Sequence, residues 1–133
     1  MFTVGEKYKR SAIHDLFGGQ RQGGISTPSN HKMIFLFTSD RGKEHGYSDG
    51  WQSDSRFFYT GEGQIGDMDF IRGNKAIRDH LETGHELHLF KRVERSSVEY
   101  MGRFLCEGFH YREGRDTVGQ MRKMIVFELR LVE

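Results

Sequence analysis

Two tyrosines, an aspartate and a threonine lie close together in Gly46 to Met68, GYSDGWQSDSRFFYTGEGQIGDM. Tyr47 follows a turn-rich run and Asp49 stands just after it. Tyr59 ends a short aromatic stretch, Arg56 to Thr60, and Thr60 comes next. Two rings can sandwich a flat ligand while a carboxylate accepts a hydrogen bond from the ligand's edge. The amino group of cytosine is such a donor, and aromatic stacking contributes roughly 1–3 kcal/mol per base. The same residues also read as two core aromatics beside a surface acid.

Other constellations are weaker. Gly61, Gly63 and Gly66 spell GxGxxG, but a dinucleotide fingerprint needs a helix opening at the third glycine, and Asp67, Asp69 and Gly73 interrupt it. His80, His85 and His88, with Glu82 and Glu86, cross a helix, a glycine and a strand, so they read as a solvent-facing cluster and no metal site is expected. Cys106 on a strand face is a small core hydrophobe. No Ser-His-Asp or Cys-His assembly follows from spacing, so no catalytic residue and no cofactor is expected.

The elements that position these residues follow from pattern. Lys32 to Thr38, KMIFLFT, is apolar nearly throughout and predicts a strand buried on both faces. Arg56 to Thr60 has strand chemistry, and the glycines after it suit a pocket mouth that delivers Tyr59 and Thr60 to a rim. Glu86 to Val93, Val98 to Gly108 and Lys123 to Val132 alternate as strands, with Phe109 to Gln120 a polar, glycine-punctuated link. Ser11 is a fair cap for a helix stopping at Gly18, with Ala12, Ile13, Leu16 and Phe17 on one face. Asn74 can cap a second through Thr83, with Ala76, Ile77 and Leu81 inward and Gly84 as the stop. Lys7, Lys9 and Arg10 read as a solvated basic lead-in. The expected fold is α+β, mainly β, a curled and mostly antiparallel sheet or small barrel of about five to seven strands with two short helices. At 133 residues with no composition break, residues 1–133 read as one domain. A single Cys fits a reducing cytosol, and the N-terminus lacks the charged-then-apolar pattern of an exported chain. No apolar run approaches a membrane-spanning length. A net charge of +1 does not by itself argue for nucleic acid, but leaves room for basic residues gathered on one face.

GYSDGW followed by RFFYTGEGQIGDM resembles the SRA (SET- and RING-associated, or YDG) domain, and within it the SRA-like modules of bacterial McrA-type modification-dependent HNH restriction endonucleases. HDLFGGQRQGGIS, GNKAI and the closing strand pair extend the likeness over Asp15 to Leu131. The resemblance implies a PUA-like curled barrel that flips a modified cytosine such as 5-methylcytosine out of duplex DNA. It places Tyr47 and Tyr59 on the two faces of the base, Asp49 on its edge and Thr60 at the wall. Gly46 and Trp51 complete the pocket set. Gln20, Arg21 and Gln22 form the groove loop, and Gly61, Gln64 and Arg72 join them on the groove and backbone side.

This sequence departs from the eukaryotic pattern in two ways. Gly50 and Trp51 follow Asp49 where those members carry further acids. Asp67 to Arg72 is short where they carry a long finger that inspects neighbouring bases, so flanking sequence is expected to matter little. No HNH motif is visible, so the chain is expected to bind without cutting, in a prokaryotic cytoplasm, with a nuclease domain in the same or a partner chain and no membrane partner. A PUA-like RNA-binding module, and a small-molecule or hydrolytic barrel using Asp49, Glu62 and Asp67, are the alternatives.

Overall fold

A computed structural model describes residues 2–39 and 49–132. In chain order the elements are β1 (Lys7–Lys9), α1 (Arg10–Phe17), β2 (Ile25–Ser26), β3 (Met33–Thr38), β4 (Gly50–Trp51), β5 (Arg56–Thr60), α2 (Arg72–Thr83), β6 (Glu86–Arg92), β7 (Ser97–Arg115) and β8 (Met121–Leu131). Among the described residues eight strands form one sheet, in the order β2-β3-β6-β7-β8-β5-β4 with β1 paired to β7. All described pairings are antiparallel except β3 with β6. Among the described residues the backbone ladder does not close. Instead the sheet curls until side chains bridge it, the Tyr59 hydroxyl of β5 reaching the Phe37 carbonyl of β3 at 3.2 Å. The fold is thus mainly β with two helices.

Two apolar clusters hold the curl. The larger gathers Leu36, Phe57, Tyr59, Ile77, Leu87, Leu89, Phe104, Phe127 and their neighbours. The smaller packs Ile13, Phe35, Phe90, Val98 and Tyr100 beneath α1. Burial in β3 runs through consecutive residues, because one face serves each cluster.

The helices lie where expected but turn differently. α1 opens one residue before Ser11, buries Ile13 and His14, and leaves Ala12 exposed and Leu16 75% exposed. In α2 the inward face is Gly73, Asn74, Ile77 and His80, and Leu81 is 59% exposed. Asn74 is not the cap. It sits inside the first turn, where its side-chain amide donates to the Glu62 and Asp69 carbonyls and its oxygen accepts the Glu62 N–H at 2.8 Å.

His80 and His88 are buried rather than solvent-facing. His80 Nδ1 donates to the His85 carbonyl and Nε2 accepts the Cys106 N–H at 3.0 Å, which splices α2 onto β7. Burial therefore holds the His80 pKa below its ordinary value, opposed by its hydrogen bond to the His85 carbonyl.

The segment read as a polar link after Gly108 is largely strand. β7 continues to Arg115 and pairs with β8 from Gly108–Glu128 to Arg115–Met121. Alternating exposed side chains and two glycines disguise it, since pairing with a single neighbour needs no apolar face.

Candidate functional site

β5 turns Phe57 and Tyr59 inward. Tyr59 is 3% exposed and belongs to the main core, which corrects its expected place at an open rim. Its hydroxyl lies 2.8 Å from the Gly24 carbonyl oxygen and 3.2 Å from that of Phe37, one donor shared by two acceptors. The Gly24 carbonyl also accepts the Phe37 N–H at 2.7 Å. A Cβ at Gly24 would stand 2.8 Å from the Tyr59 hydroxyl, so a larger residue there would force one of the two to shift. Burial first, then the charges of Asp49 and Glu62, push the phenol pKa far above its ordinary value, so it remains a neutral donor.

Asp49 sits beside this bridge. Its Oδ1 accepts the Thr60 N–H at 2.7 Å and its Oδ2 accepts the Thr38 hydroxyl at 3.2 Å. Burial raises its pKa above the usual carboxylate range, opposed by those hydrogen bonds from Thr60 and Thr38. The Thr60 hydroxyl is buried with no partner of hydrogen-bonding geometry among the described residues. So Asp49, Thr60 and Tyr59 are brought together, as expected, at the end of β5. Tyr47 and Gly46 lie outside the described residues. Trp51 is 41% exposed on the edge strand and packs against Phe57 and Phe104, covering the core rather than contacting that trio.

The loop from Gln20 to Gln22 is held at both sides. The Gln20 side chain bonds the Thr27 N–H and hydroxyl, the Gln20 backbone carbonyl accepts from Arg10 at 3.2 Å, and Arg21 pairs with Asp15 at 2.6 Å. On one flank a cleft of about 530 Å³ brings Gln20, Gln22, Gln64 and Arg72 together with Glu62, Asp67 and Asp69. Arg72 is an exposed residue with φ 48°, a left-handed conformation that costs on the order of 1 kcal/mol outside glycine. Gly73 behind it is jammed against Ile25, since a Cβ would approach that side chain to 2.7 Å. Gly61 does not line this cleft; its N–H donates to the Ile125 carbonyl of β8 at 2.8 Å. The three acids of the hydrolytic alternative have separate backbone partners: Asp49 at Thr60, Glu62 at Gly73 and Asp67 at Lys123.

On the other flank lies a cleft of about 520 Å³, lined by Arg10, Arg21, Arg92 and Arg95 with Gly24, Phe37, Thr38 and several serines. Arg10 does not belong to a solvated lead-in. Lys7 and Lys9 are exposed, but the Arg10 guanidinium lies 3.8 Å from the Phe37 ring centre and Nε donates to His14 Nε2 at 3.0 Å. Sequence reasoning missed Arg10, Arg92, Arg95 and Thr38. Only Thr38 left a signal, a polar residue ending an apolar strand.

The profile of the family described as ScoMcrA-like, SRA domain matches residues 4–133. No curated protein matches the chain. Among solved structures, the sulfur-binding and SRA domains of ScoMcrA complexed with phosphorothioated DNA align with TM-score 0.78 at 22% identity over 99% of this chain and 40% of that one. The type IV phosphorothioation-dependent restriction endonuclease ScoMcrA aligns with TM-score 0.79 at 25% identity, over 99% of this chain and 25% of that one. The chain therefore spans less than half the length of either. The SRA domain of SUVH5 with fully methylated CG DNA aligns with TM-score 0.71 at 20% identity over 98% and 89% of the two chains.

Proposed function

The chain belongs to the ScoMcrA-like SRA domain family, and we propose that it reads duplex DNA carrying a modified cytosine, as the recognition module of a modification-dependent restriction enzyme in a prokaryotic cytoplasm. The base is extruded from the stack. Its edge meets Asp49 and the Thr60 hydroxyl, the ring of Tyr47 bounds one face, and Tyr59 braces the wall behind Asp49 from within the core. The observation that carries this reading is the Asp49 carboxylate, held at the end of β5 by the Thr60 N–H and the Thr38 hydroxyl. A carboxylate fixed in low dielectric is a strong acceptor for an exocyclic amino group.

SRA domains are DNA-binding modules, so the cutting activity belongs to a nuclease domain in the same or a partner chain. Phosphate contacts supply most of the affinity and the pocket supplies the selectivity. The test is fluorescence anisotropy with methylated, hydroxymethylated and unmodified duplexes at one fixed salt concentration. Tighter binding of a modified duplex is expected. Equal binding of all three would end the proposal.

A further inference from the structure

The arginine cleft has an unusual relation to the base site. Gly24, Phe37 and Thr38 line it, and the same three residues anchor that site: the Gly24 and Phe37 carbonyls hold the Tyr59 hydroxyl, and the Thr38 hydroxyl holds Asp49. The cleft and the base site are thus two sides of one thin wall.

The charges in the cleft are mostly of one sign. Arg10 is fixed by the Phe37 ring, His14 and the Gln20 carbonyl. Arg92 and Arg95 come from the end of β6 and the turn after it, where Arg92 Nη2 donates to the Arg95 carbonyl at 2.9 Å. Glu94 lines the cleft too, but its carboxylate pairs with Lys7 at 3.4 Å. Among the described residues no carboxylate pairs with Arg92 or Arg95. Ser39, Ser96 and Ser97 add hydroxyls. Guanidinium forks beside hydroxyls, with Arg10 already disfavoured by burial and by the nearby positive charge of Arg92, form a surface that an anion stabilises.

We propose that this cleft grips the phosphodiester beside the extruded nucleotide, so that one strand's backbone and its base lie on opposite sides of the Phe37–Thr38 wall. The inference depends on the base-reading proposal, because an extruded base cannot travel further than its own sugar and phosphate allow. Arg92 and Arg95 supply the charge, and Arg10 is a positioning residue that also steadies Gln20.

The test uses Arg92→Ala/Arg95→Ala with a methylated duplex over a series of salt concentrations, and duplexes with single methylphosphonate linkages placed beside or far from the modified cytosine. The double variant should bind roughly tenfold or more weakly, with a log–log salt slope shallower by about 1.8 for two lost phosphate contacts. Arg92→Lys/Arg95→Lys should retain the slope. A methylphosphonate beside the modified cytosine should weaken the wild type strongly and the double variant little, whereas remote linkages should affect both alike. An unchanged slope overturns the inference. So does a double variant equally sensitive to near and remote linkages, because the arginines would then act elsewhere on the duplex. Saturable, arginine-dependent binding of inorganic phosphate without that linkage coupling would mark a free-anion site and also overturn it. Failure of base reading looks different: the wild type itself would not distinguish methylated from unmethylated duplex.

Discussion

Phe37 and Thr38 are neighbours in sequence and serve opposite faces of β3, as alternation in a strand requires. The Phe37 ring stacks on Phe90 at 5.4 Å and carries the Arg10 guanidinium. Thr38 reaches the Asp49 carboxylate. One face is open, cationic and lined with hydroxyls. The other is anionic, with its carboxylate fixed by hydrogen bonds from Thr60 and Thr38. An open cationic face attracts any polyanion and discriminates poorly, whereas a site with fixed polar groups admits only what matches its donors and acceptors. In the proposed reading, affinity comes from one side of the strand and selectivity from the other.

The largest expected effect destroys the contrast. Tyr59→Ala removes a buried ring from the main core and frees two carbonyls that shape both sides of the wall, at a cost of about 3–5 kcal/mol, a large part of a typical total of roughly 5–15 kcal/mol. Urea unfolding should show the midpoint drop, and binding of modified and unmodified duplex should fall together. Tyr59→Phe keeps the ring and gives up the hydroxyl, so its cost should be only about 1 kcal/mol. If Tyr59→Ala folded normally, the ring would not be the structural bridge described above.

The next effect is confined to one side. Asp49→Ala should cost about 1–3 kcal/mol on the modified duplex and little on the unmodified one, because only the former places an amino group against the carboxylate. The pH dependence follows from charge. The Asp49 pKa is raised by burial, so the carboxylate loses its charge at a higher pH than an exposed acid. Selectivity for the modified duplex should therefore decline as pH falls through that raised value, while Asp49→Asn should show a flatter profile. Stability has the opposite sign: the raised pKa stabilises the fold below the unfolded value and that contribution is lost as pH rises through the folded one. Asp49→Asn should therefore fold at least as stably at neutral pH, which denaturant titration will check.

A smaller perturbation tests whether the two sides communicate. Gly24→Ala would put a methyl against the Tyr59 hydroxyl. The ring is buried in the core, so the loop gives way and the Gln20 to Gln22 segment moves with it. Binding of modified duplex should weaken by roughly 1 kcal/mol or more, with the salt slope unchanged because no charge is removed. A change in slope would show that the loop also sets the arginine geometry.

Much of this was legible in the sequence. KMIFLFT, RFFYT and the closing strand carry enough apolar and β-branched character to be read directly, and Gly18 and Gly84 mark both helix ends. The Asp49, Tyr59 and Thr60 grouping was visible because their chemistry is unusual at that spacing. What stayed hidden depends on partners that leave no trace in a side-chain pattern. Tyr59 read as a rim residue because its acceptors are the backbone carbonyls of Gly24 and Phe37. Arg10 read as one of three solvated cations, since only the folded chain puts Phe37 beneath it. The outer half of β7 read as a loop because Phe109 to Arg115 alternates without an apolar face. The bridge between β5 and β3 depends on the curl of the whole sheet, which no local window contains.

The smallest expected effect concerns the bases next to the modified cytosine. A segment that inspects neighbours must project from the protein, and the one after β5 does not. The Gly63 and Gly66 carbonyls accept from buried Arg122, the Gly66 N–H donates to Asp116, and the Gln64 carbonyl accepts from Thr117. Met68 and Asp67 are tied to Lys123 through backbone and side chain, at 2.9 and 2.7 Å. Most of the loop's polar backbone is thus used to fasten it onto the β7–β8 hairpin. Of the loop's side chains, Gln64 and Arg72 are the long hydrogen-bond donors left to meet DNA, in the cleft they share with Gln22. Replacing the base pair after the modified cytosine should therefore change affinity by less than about 1 kcal/mol, below the roughly 1–3 kcal/mol of a directly read position. A competition assay over all four flanking pairs at constant salt measures it. A strong preference for one pair would mean that selectivity is not confined to the anionic side of β3, and Gln64→Ala and Arg72→Ala would then identify which side chain reads the neighbour.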